Sequence, residues 1–291
     1  MSSFAEPNAE VSKNSIFLFL GLTFFIGYAA QIAAIYFGKS AGGNFIVLAM
    51  WAPAIAAILS GREIRKFAFH SLKKIGIRYW GWALVFGWLP SIIALVIYWL
   101  FDFGSLNVEK FLLDSETNQI TIQHLGTALG NGPHKVGIFT LNYFFSIALA
   151  AILFAPIFGI GEELGWRGAL QPTLLQRLSF HKTCLLVGVI WAAWHIPINL
   201  SGYNDSAHPV WTTFFFFPLY VVGHAYAYGW LSKESGSAWP AAIAHMANNS
   251  IESGQIFKSN SWIIEKLTMT FGMGITVAVV ILLSYKKAVK R

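Results

Sequence analysis

Residues 138–158 read IFTLNYFFSIALAAILFAPIF and run without a break into GIGEELGWRGAL at 159–170. The first of these stretches holds no charge and, as a helix, is about 31 Å long, enough to cross a hydrocarbon core. Glu162, Glu163 and Arg167 then arrive together. An ionisable side chain at membrane depth costs about 2.5–3.5 kcal/mol on insertion scales, so such a cluster marks a functional site, unless it belongs to a charged interfacial loop. Glu163 and Arg167 lie four apart and can pair on one helix face, while Glu162 points about 100° away. The spacing therefore predicts a structural ion pair that leaves Glu162 free.

The rest of the chain agrees with lipid as the solvent. Of 291 residues, 56% are hydrophobic and only 11% charged, against about 25% charge in a soluble domain. The mean hydropathy is +0.57. Disorder, collagen and coiled coil are excluded by composition, and the lone Cys184 excludes an intramolecular disulfide or a Cys-rich zinc site. The fold class expected is all-α, a polytopic bundle of about eight transmembrane helices near 16–37, 44–60, 80–101, 138–158, 184–200, 211–231, 239–255 and 267–285. The fifth and seventh are short and interrupted by polar residues. The first is too long, and the preceding MSSFAEPNAEVSKN too acidic, for a cleaved signal.

With the amino terminus in the cytoplasm, 15 of the 20 Lys and Arg residues fall on that side. Lys39, Lys110, Lys135, Lys258 and Lys266 fall on the other. The positive-inside rule then places both termini in the cytoplasm, and the basic excess reads as topology, with no nucleic-acid partner. Residues 102–135 form the outward loop, and 61–79, with six basic residues among apolar ones, suits an amphipathic segment at the lipid surface.

Polar residues recur in the short spans. WAAWHIPINL places His195 four residues after Trp191, and AAIAHMANNSIES places His245 four residues before Asn249. His224, alone in the sixth span, is assigned to packing with a hydrogen-bonded neighbour. No Ser-His-Asp, GxSxG, HExxH or phosphate loop is present. A carboxylate, imidazoles and an amide remain, the equipment to hydrolyse an amide with activated water. The same Glu162, His195 and His245 could instead hold a zinc ion with one open position.

The three motifs, E-E-x-x-x-R at 162–167, aromatic-x-x-x-His at 191–195 and H-x-x-x-N at 245–249, resemble those of the CPBP family of intramembrane proteases, which includes the type II CAAX prenyl endopeptidases. The resemblance covers residues 140–255, with Trp191 standing where the family often has Phe. It implies a glutamate-dependent protease needing no cofactor, although many relatives are labelled metalloproteases. Carried over by motif, Glu162 with His195 activates water and His245 with Asn249 stabilises the oxyanion. Glu163 and Arg167 hold the first carboxylate, and Trp191 packs beside His195.

This divides the chain into a three-span region at 1–136, a catalytic core at 137–258 and a last span with a basic tail at 259–291. The partners expected are membrane lipids and a membrane-anchored or lipidated peptide, possibly a prenylated CAAX terminus, approaching from the cytoplasmic side. A bacterial inner membrane is the expected location. A transporter using the same groups as a proton relay, or a bacteriocin-immunity membrane protein, is the other reading.

Overall fold

The computed structural model describes residues 11–72, 74–123 and 125–289. The acidic residues 1–10 and the basic Lys73, Lys290 and Arg291 lie outside the described residues. A helix stands at each of the eight expected positions. The chain enters α1 (Lys13–Gly38), turns at Gly38 and continues as α2 (Ala41–Leu59). Gly38 has φ 53°, a conformation that costs glycine little and a β-carbon much. The short α3 (Arg62–His70) and the long α4 (Ile77–Phe101) follow, then α5 (Val136–Leu175). Next come α6 (Phe180–Trp194) and the single turn α7 (Ile196–Leu200). The bundle ends with α8 (209–235), α9 (Trp239–Gly254) and α10 (Trp262–Val289).

Among the described residues, α1, α2, α4, α5 and α10 are long and apolar enough to cross a membrane. The other three positions are shorter or more polar, for a reason visible in burial. In α9 every residue from Pro240 to Asn248 is buried, so other helices are its solvent. Outside, the pattern inverts: Phe17, Phe25, Trp99, Leu141 and Leu282 are exposed while Glu162, Glu163, Arg167 and Gln171 are buried. Apolar outside and ionic inside is the arrangement of an integral membrane protein.

The fourth helix differs from its expected end at 158. It carries on to Leu175 through two wide π-helical turns, Ala155–Gly159 and Leu164–Leu170, which flank Glu162 and Glu163. Such turns accommodate residues that a regular helix rejects, here Pro156, and are frequent at functional sites. Helix α3 also differs, since it buries Ile64, Phe67 and Ala68 beneath the bundle while Phe69 stays exposed. It packs against 164–170 as well as lying at the surface.

Two faces result. Val11, 60–79, 176–179 and 233–238 meet on one: Arg177 Nη2 donates to Val11 O at 2.7 Å, Ser237 Oγ to Ser71 O at 3.0 Å and Tyr79 Oη to Glu234 O at 2.6 Å. On the other, β1 (Gly104–Leu106) pairs antiparallel with β5 (Phe257–Ser259). There too β2 (Phe111–Asp114), β3 (Gln119–Ile122) and β4 (His134–Lys135) form an antiparallel meander. The loop expected at 102–135 is thus partly sheet. Ile120 and Ile122 alternate inward and Asp114 Oδ1 accepts from the Glu116 and Thr117 amides to close the turn.

Candidate active site

Three helices bring the chemistry inward. On α5, Gly161 and Gly165 let α2 cross in near contact: a β-carbon at Gly161 would stand 2.8 Å from Met50 O, and at Gly165 2.3 Å from Pro53 Cβ. Only glycine fits between, and the crossing fixes the rotation of the turn carrying Glu162 and Glu163. On α6 the helix breaks after His195 because Pro197 has no N–H to give Ala193 O. The first helix repairs the break. Tyr28 Oη donates to Ala193 O at 2.8 Å, and Gln31 donates Nε2 to Trp194 O at 2.8 Å while its Oε1 accepts from Ile198 N at 3.2 Å. These bonds satisfy Ala193 O, Trp194 O and the Ile198 amide, as a water-poor interior requires.

The side chains then interlock. Glu163 Oε2 lies 2.9 Å from Arg167 Nη1, both fully buried, and Glu163 Oε1 is 3.1 Å from His245 Nδ1. The Arg167 guanidinium stacks over Trp191, 4.3 Å from the ring centre, and over Tyr228 at 5.3 Å. Trp191 donates its indole N–H to Glu162 Oε2 at 2.7 Å, and its carbonyl receives His195 Nδ1 at 2.9 Å. With Nδ1 of both histidines engaged, Nε2 of each is left for other chemistry. Glu162, Trp191, His195, His245 and Asn249 line one cavity of about 200 Å³.

Sequence comparison agrees with the geometry. Residues 140–251 match the family described as type II CAAX prenyl endopeptidase, Rce1-like. The chain is also 27% identical over 210 residues to CAAX prenyl protease 2 of Methanococcus maripaludis, covering 67% of this chain and 68% of that protein. These matches support membership of the CPBP family of proteases. The matched CPBP segment starts in α5, ends in α9 and contains every residue of the three motifs.

Within this CPBP core the structure revises some partnerships expected from spacing. Glu163 and Arg167 pair as expected, yet the group they hold is His245; Glu162 is held by Trp191. Trp191 therefore does more than pack beside His195, and the indole N–H is a donor that Phe lacks. Asn249 reaches the cavity wall with its amide 4.0 Å from Met246 Sδ. His224 was expected to have a hydrogen-bonded neighbour, but neither ring nitrogen has a partner; the ring lies among Tyr220, Tyr228 and Trp191 and lines the same cavity. Residues that no motif indicated are Tyr28 and Gln31, outside the CPBP match, and Tyr220, whose hydroxyl is 2.6 Å from Glu252 Oε1 and 2.8 Å from Asn248 Oδ1. Their only signal was a polar group in an apolar helix. Among the described residues, none of those lining the cavity comes from 60–79, 176–182 or 233–238, and Tyr203 and Asn204 line it from the 202–208 loop.

Proposed function

We propose that the chain cleaves a peptide bond of a membrane-anchored or lipidated substrate with water activated by Glu162 and His195. The observation that carries this reading is the convergence of Glu162, His195, His245 and Asn249 on one cavity, with Nδ1 of both histidines already engaged. Glu162 Oε1, the oxygen not bound by Trp191, takes a proton from water as the hydroxide oxygen adds to the scissile carbonyl carbon. His195 Nε2 orients that water. His245, backed by Glu163, and the Asn249 amide donate to the oxyanion. Collapse of the tetrahedral adduct breaks the C–N bond, and the proton held by Glu162 passes to the leaving amine.

Metal-independent chemistry is part of the proposal. Its support is the donor set: among the described residues no three His, Cys, Asp or Glu side chains are grouped to hold a metal ion. The core at 137–258 is proposed as the catalytic unit, with 1–136 and 259–291 as its frame. A bacterial inner membrane with both termini cytoplasmic is the proposed setting, argued from the 15 to 5 distribution of Lys and Arg.

The test uses purified full-length protein in detergent and a quenched fluorogenic peptide with a farnesylated CAAX terminus, beside acyl-anchored peptides. Glu162→Gln and His195→Ala are expected to abolish cleavage while leaving the melting temperature within a few degrees of the parent. Cleavage retained by either variant overturns the assignment. Activity is expected to survive exhaustive chelation, whereas loss that added zinc restores would put a metal at the site.

A further inference from the structure

Helix α9 brings more than His245 and Asn249 to the cavity wall. Glu252 follows on the next turn: positions 245, 249 and 252 stand at i, i+4 and i+7, which a regular helix holds within an arc of about 60°. All three line the chamber that holds Glu162. A second cavity, of about 660 Å³, adjoins that chamber and shares Tyr203, Asn204, Phe217, Tyr220 and Glu252 with it. Glu252 is the one Asp, Glu, Lys or Arg among these shared residues, so it stands where the two cavities meet.

The protein supplies this carboxylate with no cation. The second cavity is lined by Asp205, Glu252 and Glu265 against Lys258 and Lys266. Both lysines are already engaged: Lys266 Nζ lies 3.5 Å from Asp205 and 3.3 Å from Glu265, and Lys258 Nζ lies 3.2 Å from Glu109. Among the described residues, neither Lys nor Arg lines the chamber, and none pairs with Glu252, whose Oε1 meets the Tyr220 hydroxyl at 2.6 Å. An ionisable group in a membrane helix is costly and marks a functional site. A carboxylate drawn from water without a cation is destabilising, and a cation brought by a ligand removes that cost.

We propose, on the basis of the protease reading above, that Glu252 selects the substrate by pairing with a Lys or Arg side chain of the peptide close to the scissile bond. The spacing follows from the helix. Residue 252 lies about 7.5 Å along α9 from the midpoint of residues 245 and 249, which hold the scissile carbonyl in that reading. An extended peptide advances about 3.3 Å per residue, so the basic side chain belongs about two or three residues from the cleaved bond. Its aliphatic stem can lie along Phe217, which both cavities share, while the charged end meets the carboxylate. The substrate class is thus a membrane-anchored peptide with a basic residue near the cleavage point. The competing role for Glu252, a neutral group that ties α9 to α8 through Tyr220, carries no preference for one substrate charge over another.

Charge selectivity is the readout. Purified full-length protein in detergent is given farnesylated fluorogenic peptides carrying Lys, norleucine or Glu at the second or third residue on either side of the cleaved bond. At one of these positions kcat/KM is expected to be at least about tenfold higher for Lys than for norleucine, and lowest for Glu. Glu252→Gln keeps an acceptor for Tyr220, and in it the advantage of Lys over norleucine is expected to vanish. In Glu252→Lys the order of the Lys and Glu peptides is expected to reverse. A parent protein without preference for Lys, or a loss in Glu252→Gln that is equal on all peptides, overturns the proposal, even where Glu252→Lys fails to fold. Should the parent cleave none of the peptides, the protease reading fails and binding decides the selection, by fluorescence anisotropy of labelled Lys and Glu peptides. Tighter binding of the Lys peptide by the parent, lost in Glu252→Gln, supports the pairing; equal binding of the two peptides overturns it.

Discussion

Trp191 holds both groups proposed to activate water, Glu162 through its indole N–H and His195 through its carbonyl, which makes it the most informative single position to vary. Trp191→Phe keeps an aromatic ring against His195 and His245 and removes only the donor to Glu162. A hydrogen bond to a charged group contributes about 1.5–3 kcal/mol, so kcat is expected to fall by one to two powers of ten with KM nearly unchanged. Steady-state kinetics on the fluorogenic peptide measure this split. Arg167→Ala is a different kind of loss, since it leaves the fully buried Glu163 without its cation. Breaking a buried pair costs about 3–5 kcal/mol, and a large fall in melting temperature is expected. Glu163→Gln with Arg167→Met, which removes both charges, should recover part of that fall. The sequence made these side chains visible as charges in an apolar chain, and the i, i+4 rule paired Glu163 with Arg167. It could not assign His245 to Glu163, or Trp191 to Glu162, because those contacts depend on the rotation and depth of helices whose relative placement no local spacing encodes.

At the scale of elements, the break between α6 and α7 shows how His195 is held where a helix fails. Pro197 was legible in the sequence; the residues that heal its break, Tyr28 and Gln31, lie more than 160 positions away and were not. Gln31→Leu preserves volume but strands Trp194 O and the Ile198 amide, so His195 loses its fixed position. Activity is expected to drop at least as far as stability, read as kcat against melting temperature. The crossing of α2 over α5 is equally exacting: Gly165→Ala puts a methyl 2.3 Å from Pro53 Cβ, and overpacking of this kind costs about 1–3 kcal/mol. The 202–208 loop is latched by Asp205, which accepts from the Ala207 and His208 amides at 3.1 and 3.0 Å and from Thr212 Oγ1 at 2.8 Å, with the Trp262 indole also bound and Lys266 Nζ 3.5 Å away. Burial pushes this carboxyl up, but the hydrogen bonds and the lysine outweigh it and bring the pKa down to about 2. A depressed folded pKa stabilises at pH above the unfolded value near 4, and that contribution is lost as pH falls through about 2. The latch is thus expected to be indifferent to pH between about 4 and 8. Hydrogen exchange at the Ala207 and His208 amides should show protection across that range, abolished in Asp205→Ala.

For the whole molecule, the family match ends at the edges of α5 and α9, yet the site does not. Gln31 and Met50 line the chamber, and α2 sets the α5 turn. A fragment restricted to 137–258 is therefore expected to insert without cleaving the fluorogenic peptide, and supply of residues 1–136 as a separate chain should restore part of the activity. That helices stand at the expected positions followed from hydropathy; the three least apolar followed less well, because their neighbours replace lipid and release them from the usual length and composition. The same arrangement imposes an order on synthesis. Helix α5 leaves the ribosome carrying Glu162, Glu163 and Arg167, while Trp191 and His245 are still unmade. Until α6 and α9 emerge, its exposed carboxylate has only the small-residue groove with α2 to shelter it. A nascent chain stalled shortly after α5 should accordingly remain at the insertion machinery, and crosslinking of that intermediate would reveal the first four helices acting as an internal chaperone for the fifth.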